Sequence, residues 1–319
     1  MHPAYSVIFF TVSSGTGYGM LFLMAILAVL GRLPIDPWFA WPSFVIAFAL
    51  VTAGLLSSLL HLGHPERFLK ALTQWRSSWL SREGVLAIAT YGPAGLFGLG
   101  WLFVMPDAGS LGGVMVLLAI ATALLCVATV FATSMIYASL KPIPQWFRRD
   151  VSWGYLTMSL AAGALTVNAL GALTGWFNHL VPTIALVALA LAFFVKARYW
   201  RGICTAAPTA TAAAAIGMEG SVRVRTLDLP HTEPNYLQKE MGFHVARKHA
   251  EKLRRLAYIT GLAIPAVTLF VGFGASGFLA AGLAIVAALS GHLGLVVERW
   301  LFFAEATHTV TLYYGAESV

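Results

Sequence analysis

Apolar residues fill this chain in eight long stretches, at about 5–30, 42–61, 84–105, 111–140, 152–175, 178–195, 256–274 and 277–303. A bilayer hydrocarbon core about 30 Å thick needs roughly 20 such residues in a helix. Nearly every break between the stretches carries helix-stopping residues: Gly31-Arg-Leu-Pro34, Gly63-His-Pro65, Pro106-Asp107, Lys141-Pro-Ile-Pro144 and Gly274-Ala-Ser-Gly277. The pattern predicts an all-α polytopic membrane protein with eight transmembrane helices in one integral domain spanning 1–319. The break around Trp176–Asn178 is weak and leaves open a seven-span chain with one irregular helix.

The polar positions are distributed unevenly between the spans. Of 20 Lys and Arg residues, four lie in the second connection, three in the fourth and eleven in the sixth, leaving only Arg32 and Arg299 elsewhere. With eight spans, the even connections share a side with both termini. The excess of basic residues in cytoplasmic loops predicts that this side faces the cytoplasm. The opposite connections are short and offer no large docking surface.

The sixth connection, 196–255, reads as a long cytoplasmic loop. Its Thr205–Ala215 stretch is low in complexity, and from Asn235 to Arg255 the pattern turns helical and amphipathic. That helix is expected either to lie on anionic lipid or to serve as a docking platform for a partner protein.

Composition agrees with this class. Hydrophobic residues make up 59% of the chain and charged residues 10%, against about 25% charged in a soluble domain. The net charge of +7 flanks apolar runs, a distribution that belongs to membrane loops and excludes a nucleic-acid partner. Cys126 and Cys204 form no CxxC motif and cannot hold an iron–sulfur cluster. The first apolar run lacks a basic leader and a small-residue cleavage site, so it reads as a retained helix.

A repeat is faintly visible. Thr11-Val-Ser-Ser-Gly15 in the first span resembles Thr157-Met-Ser-Leu-Ala-Ala-Gly163 in the fifth, consistent with two four-helix halves. Gly15 and Gly19, four apart, allow close helix packing.

Candidate chemistry gathers at the basic side. The second span ends in His61-Leu-Gly-His64-Pro-Glu-Arg67, and the third opens with Trp79-Leu-Ser-Arg82-Glu83. Taken singly, each residue has an ordinary explanation: Glu83 suits the positive end of a helix dipole with Ser81 as cap, and His61 an interfacial hydrogen bond. Together, an imidazole and a carboxylate at adjacent helix ends suit a quinone headgroup, whose two carbonyl oxygens are hydrogen-bonded and gain protons on reduction. Glu83 would relay a proton from the aqueous side. Arg76 and Arg82 would hold that carboxylate ionised or stabilise charge on the ring. Trp75, Trp79 and Tyr137 offer ring faces, although interfacial aromatic belts explain most such residues, and His64 is a further candidate ligand.

In the eighth span Glu298 and Arg299 lie about a turn from the cytoplasmic end, where pairing and snorkelling make charges tolerable. His292 lies deeper. Haem b would need a second imidazole at matching depth, and only His61 is remotely suitable, so haem is disfavoured. No zinc-type ligand cluster is present.

His61-Leu-Gly-His-Pro65, the Trp75–Glu83 stretch, Ile136-Tyr-Ala-Ser-Leu-Lys-Pro-Ile-Pro144 and Glu298-Arg-Trp-Leu-Phe-Phe-Ala-Glu305 resemble the dimethyl sulfoxide reductase membrane-anchor family. The resemblance extends over nearly the whole chain. It implies a bacterial inner-membrane subunit that exchanges electrons with ubiquinone or menaquinone, alongside a four-cluster iron–sulfur subunit and a molybdopterin catalytic subunit. It also implies that His61 and Glu83 take part in quinol binding, and the family usually lacks haem. One departure matters: the namesake reductase carries its catalytic subunits outside, whereas the charge bias here turns the matching face inward. A cytoplasmic head is instead similar to the sulfite dehydrogenase branch, which makes sulfite-to-quinone electron transfer the first expectation. The alternatives are a quinol-oxidising reductase anchor, a purely structural anchor without a quinone site, and a secondary transporter, which would carry midplane charges or broken helices.

Overall fold

The computed structural model describes residues 3–60, 64, 67–105, 111–218, 224, 227–228, 233 and 245–319. Eight helices among them are long and apolar enough to cross a membrane. They are α1 (Tyr5–Val29), α2 (Pro37–Leu59), α3 (Trp79–Phe103), α4 (Gly113–Ala138), α5 (Arg149–Leu173), α6 (Leu180–Thr205), α7 and α8 (Gly277–Ala304). α7 is built from Val245–Tyr258, a π-helical turn Ile259–Ala263 and Ile264–Gly272.

Local chemistry sets the ends. Asp36 caps α2 by accepting from the Trp38 amide at 3.1 Å, with Pro37 in the first helical position. The weak break in the sequence is a true end. Gly175, at φ +80°, takes the left-handed conformation that terminates α5, and Asn178 Oδ1 accepts from the Val181 amide at 2.8 Å to start α6. The described residues therefore hold eight helices long and apolar enough to span, and not seven.

Several helices outrun their apolar stretches. α2 begins at Pro37 and not 42, and α3 at Trp79 and not 84. α6 runs on to Thr205, carrying Lys196, Arg198 and Arg201 on helix where the hydropathy pattern predicts a loop. The helical pattern expected over 235–255 is helix from Val245 onward and is continuous with α7, not a separate surface element; residues 235–244 lie outside the described residues. The reason is simple. Hydropathy marks where side chains leave hydrocarbon, whereas Lys, Arg and Ala continue a helix readily.

α1 is the most enclosed span, packed against α2, α4, α5 and α8. The neighbours repeat across the two halves. α1 packs on α2 and α4, and α3 on α4; correspondingly, α5 packs on α6 and α8, and α7 on α8. The α4–α5 contact has its counterpart in α8–α1.

α1 and α5 cross at Gly19 and Gly163, where a Cβ on either residue would run into the other helix's backbone. Ser159 Oγ donates to the Gly15 carbonyl at 2.6 Å and locks the register. Gly15 itself faces open space, so the close packing expected of Gly15 and Gly19 falls to Gly19 alone. Replacing Gly163 with Val should destabilise the bundle by about 1–3 kcal/mol or more through overpacking, read as a lower thermal midpoint in detergent. An unchanged midpoint would mean that the crossing is loose.

Large side chains such as Phe194, Phe270, Phe278 and Leu289 project from the bundle, as lipid-facing residues do. The fourth and sixth connections and the C-terminal segment clasp one another at one end. Gln145 Nε2 donates to Thr307 Oγ1 at 2.7 Å, the Thr309 amide to the Pro142 carbonyl at 2.9 Å and the Thr209 amide to the Val319 carbonyl at 2.8 Å. This is the basic end.

Candidate functional site

α3 starts at the basic end with Ser78 as its cap, the Ser78 Oγ accepting from the Ser81 amide at 3.5 Å. The cap is thus Ser78 and not Ser81, and Glu83 lies beyond the first turn. That register turns Glu83 inward, where it is only 5% exposed. A carboxylate buried so deeply needs a donor, and Thr133 Oγ1 on α4 supplies a hydrogen bond to Glu83 Oε1.

The expected arginine partners point elsewhere. Arg82 donates through Nε to the Trp75 carbonyl at 2.9 Å and through Nη2 to the Arg76 carbonyl at 2.7 Å. Its guanidinium stacks over Trp79 at 4.3 Å, so it holds the 75–79 turn together. Arg76 is exposed and lies against its neighbour Trp75 at 5.4 Å. Among the described residues neither arginine forms an ion pair with Glu83.

Tyr137 does not present an open ring face. It is buried in an aromatic cluster, with Trp146 at 5.2 Å, Phe303 at 5.3 Å, Phe302 at 5.6 Å and Tyr155 stacked at 5.9 Å. His64 is exposed, and its carbonyl accepts from the Arg67 amide at 3.0 Å. His61 lies outside the described residues.

Behind Glu83 is a polar interior that the hydropathy pattern conceals. A cavity of about 20 Å³ is lined by Ser14, Tyr18, Thr133, Tyr155, Ser159 and Arg299, among others. The neighbouring Glu298 is fully buried and lies between two cations, Lys196 Nζ on one oxygen and Arg299 Nε at 2.8 Å on the other. Arg299 also lies 4.0 Å from the Tyr155 ring centre, and Lys196 the same distance from that of Tyr199.

Glu298 and Arg299 thus form part of a buried ion cluster and are not snorkelling charges at the bundle end. The third member is hidden in the sequence because Lys196 sits where the apolar stretch gives way to a basic one. A helical continuation of α6 by one turn is the signal that would have found it. A smaller cavity of about 10 Å³ joins Tyr155, Lys196, Glu298 and Arg299 to Asp150. Asp150 meets the basic surface through Arg198 at 2.5 Å and Arg148 at 3.6 Å. At the same end Glu305 accepts from Arg254 at 2.7 Å; burial pushes its carboxyl above the usual range, and the guanidinium pulls it back.

Both ring nitrogens of His292 are engaged, Nδ1 with the Ala288 carbonyl at 2.7 Å and Nε2 with Thr16 Oγ1 at 3.3 Å.

With this geometry established, comparison with known proteins gives the family. A sequence profile described as DMSO reductase anchor subunit (DmsC) matches residues 1–315. The chain belongs to that family. It is 30% identical over 330 residues to the C subunit of the sulfite dehydrogenase of Allochromatium vinosum, an alignment that takes in 98% of this chain and 99% of that protein. It is 27% identical over 172 residues to the C polypeptide of the anaerobic dimethyl sulfoxide reductase of Escherichia coli K12, taking in 53% of this chain and 58% of that one. As a DmsC-family protein, the chain is a multi-pass membrane anchor subunit of a DMSO reductase-type oxidoreductase complex.

Proposed function

We propose that this anchor delivers electrons from sulfite oxidation to membrane quinone, ubiquinone or menaquinone, at its basic end. The observation that carries the reading is Glu83, a buried carboxylate held by Thr133 at the start of α3, just after the 67–78 segment. End-to-end similarity to the C subunit of a sulfite dehydrogenase supports the choice of complex. A molybdopterin subunit would oxidise sulfite, and a four-cluster iron–sulfur subunit would carry the electrons to this chain.

The donor set suits a quinone headgroup, which when bound accepts two electrons and two protons. Glu83 is the group that gives up a proton, and Thr133 holds the carboxylate in place through Oγ1. His61 would supply the second hydrogen bond to the ring. The cavity behind Thr133 holds no more than a water or so. Arg82 acts through the turn it clamps, as a positioning residue. Sulfite-dependent reduction of decylubiquinone by the purified complex tests the reading. Quinol oxidation driven by dimethyl sulfoxide, without sulfite activity, would instead establish the reverse reaction, which the similarity to a dimethyl sulfoxide reductase polypeptide favours.

The basic end faces the cytoplasm of a bacterial inner membrane in this reading, with both termini and the catalytic partners on that side. Cys204 is a natural reporter, exposed at the basic end of α6, whereas Cys126 is buried. A membrane-impermeant maleimide should label Cys204 in inside-out vesicles and not in sealed cells. Labelling in sealed cells would reverse the topology and move the catalytic head outside.

A further inference from the structure

Five features of the interior belong together. Glu83, Thr133, Tyr155, Glu298 and Arg299 lie on four different helices. Glu83 is the fifth residue of α3 and Tyr155 the seventh of α5, while Thr133 and Arg299 stand five residues before the ends of α4 and α8. At 1.5 Å per residue all are roughly 6–9 Å in from the same end. They make one polar layer across the bundle, and that layer meets the basic surface at Asp150.

The layer is joined by two cavities with common walls. The larger touches Thr133, and therefore the donor to Glu83; the smaller touches Lys196, Glu298 and Asp150; Tyr155 and Arg299 line both. Buried polar atoms of residues on the larger cavity, among them Tyr18 Oη and Arg299 Nη1, find no hydrogen-bond partner among the described residues. Buried polar atoms without partners around a space of one probe volume or more call for a water molecule. Ionisable groups within a membrane bundle are costly, and they commonly mark ion or proton routes.

Resting on the reading of Glu83 as proton donor to the quinone, we infer that Glu83 is recharged through this layer, from the basic surface at Asp150 by way of Glu298 and Tyr155 to Thr133. A proton from the aqueous side reaches Asp150, crosses the smaller cavity to Glu298 and passes the Tyr155 hydroxyl into the larger cavity. The Thr133 hydroxyl hands it to Glu83, forming one O–H bond there as one breaks at Thr133, whose oxygen is refilled from the cavity. No electron moves in these steps. Lys196 and Arg299 each hold one carboxylate oxygen of Glu298 beside the smaller cavity. Arg82, by contrast, is committed to the Trp75 and Arg76 carbonyls and offers Glu83 no route. The path runs along one end of the bundle, so proton uptake carries no charge across the membrane.

The test needs no bound quinone. The full chain is placed in lipid nanodiscs at a pH low enough to protonate Glu83, then switched to D₂O while the buried carboxyl C=O band is followed by infrared spectroscopy. Glu83→Gln identifies the band by removing it. The Lys196→Met/Glu298→Gln double variant keeps the net charge of the cluster and leaves an amide oxygen at position 298 to accept from Arg299, but that amide cannot pass a proton. Thr133→Val cuts the same route next to Glu83. Deuterium exchange should slow on the order of tenfold or more in both. Exchange at the wild-type rate in the double variant overturns the route; should that variant fail to fold, Thr133→Val decides by the same criterion. In the assembled complex, full quinone reduction by Glu83→Gln would remove Glu83 from the quinone reaction while leaving the exchange result to judge the route by itself.

Discussion

Glu298→Ala lowers the stability of the bundle by about 3–5 kcal/mol, the usual cost of stranding buried charge. The side chain is fully enclosed and bonded to Lys196 and Arg299, which are themselves only 4% exposed. Removing it leaves two cations side by side in the bundle interior. The Lys196→Met/Glu298→Gln pair removes one charge of each sign and should recover more than half of that loss. Thermal midpoints in one detergent, or reversible unfolding in mixed micelles, measure both. If alanine at 298 costs less than about 1 kcal/mol, comparable to an exposed pair, the cluster contributes no more than a surface ion pair.

Glu83→Gln in the assembled complex lowers kcat for quinone reduction by on the order of 10²–10³-fold, the range for losing a positioned general acid. The amide keeps the shape and still bonds Thr133 Oγ1, so KM for decylubiquinone should change little. Oxidation of sulfite by an artificial dye at the partner subunits should persist. That split separates a proton donor from a structural residue: a rise in KM at constant kcat would mark Glu83 as a packing element of the pocket wall. Loss of dye activity as well would show that the variant had failed to assemble.

Much of this protein is legible in one dimension. A hydrocarbon slab imposes a minimum helix length and leaves unpaired backbone no partner, so eight apolar stretches become eight helices, Tyr5–Val29 through Gly277–Ala304. Glu83 is identifiable because a carboxylate beside an apolar stretch is expensive wherever it points. Its partner is not. Thr133 is one of many hydroxyl residues in α4, and only packing selects which of them faces α3. Tyr137 reads from the sequence as an open ring face and is instead buried among aromatics, since aromatic composition does not reveal what stands opposite. Proximity along the chain pairs Arg82 with the carboxylate, yet its long side chain bonds two carbonyls of the preceding turn.

The order of the spans follows from the chain's own pattern, because burial in lipid is decided residue by residue along a helix; only their number at the weak break around 176–178 is decided by the structure, through Gly175 and Asn178. The clustering of basic residues in alternate connections is likewise a linear property. Which polar side chains meet is a property of three dimensions. Lys196 is separated from Glu298 and Arg299 by about a hundred residues and joins them only where α6 and α8 approach. Their charges tolerate the interior because each has an opposite partner there, and that pairing is set by how helices cross, at contacts such as Gly19 on Gly163.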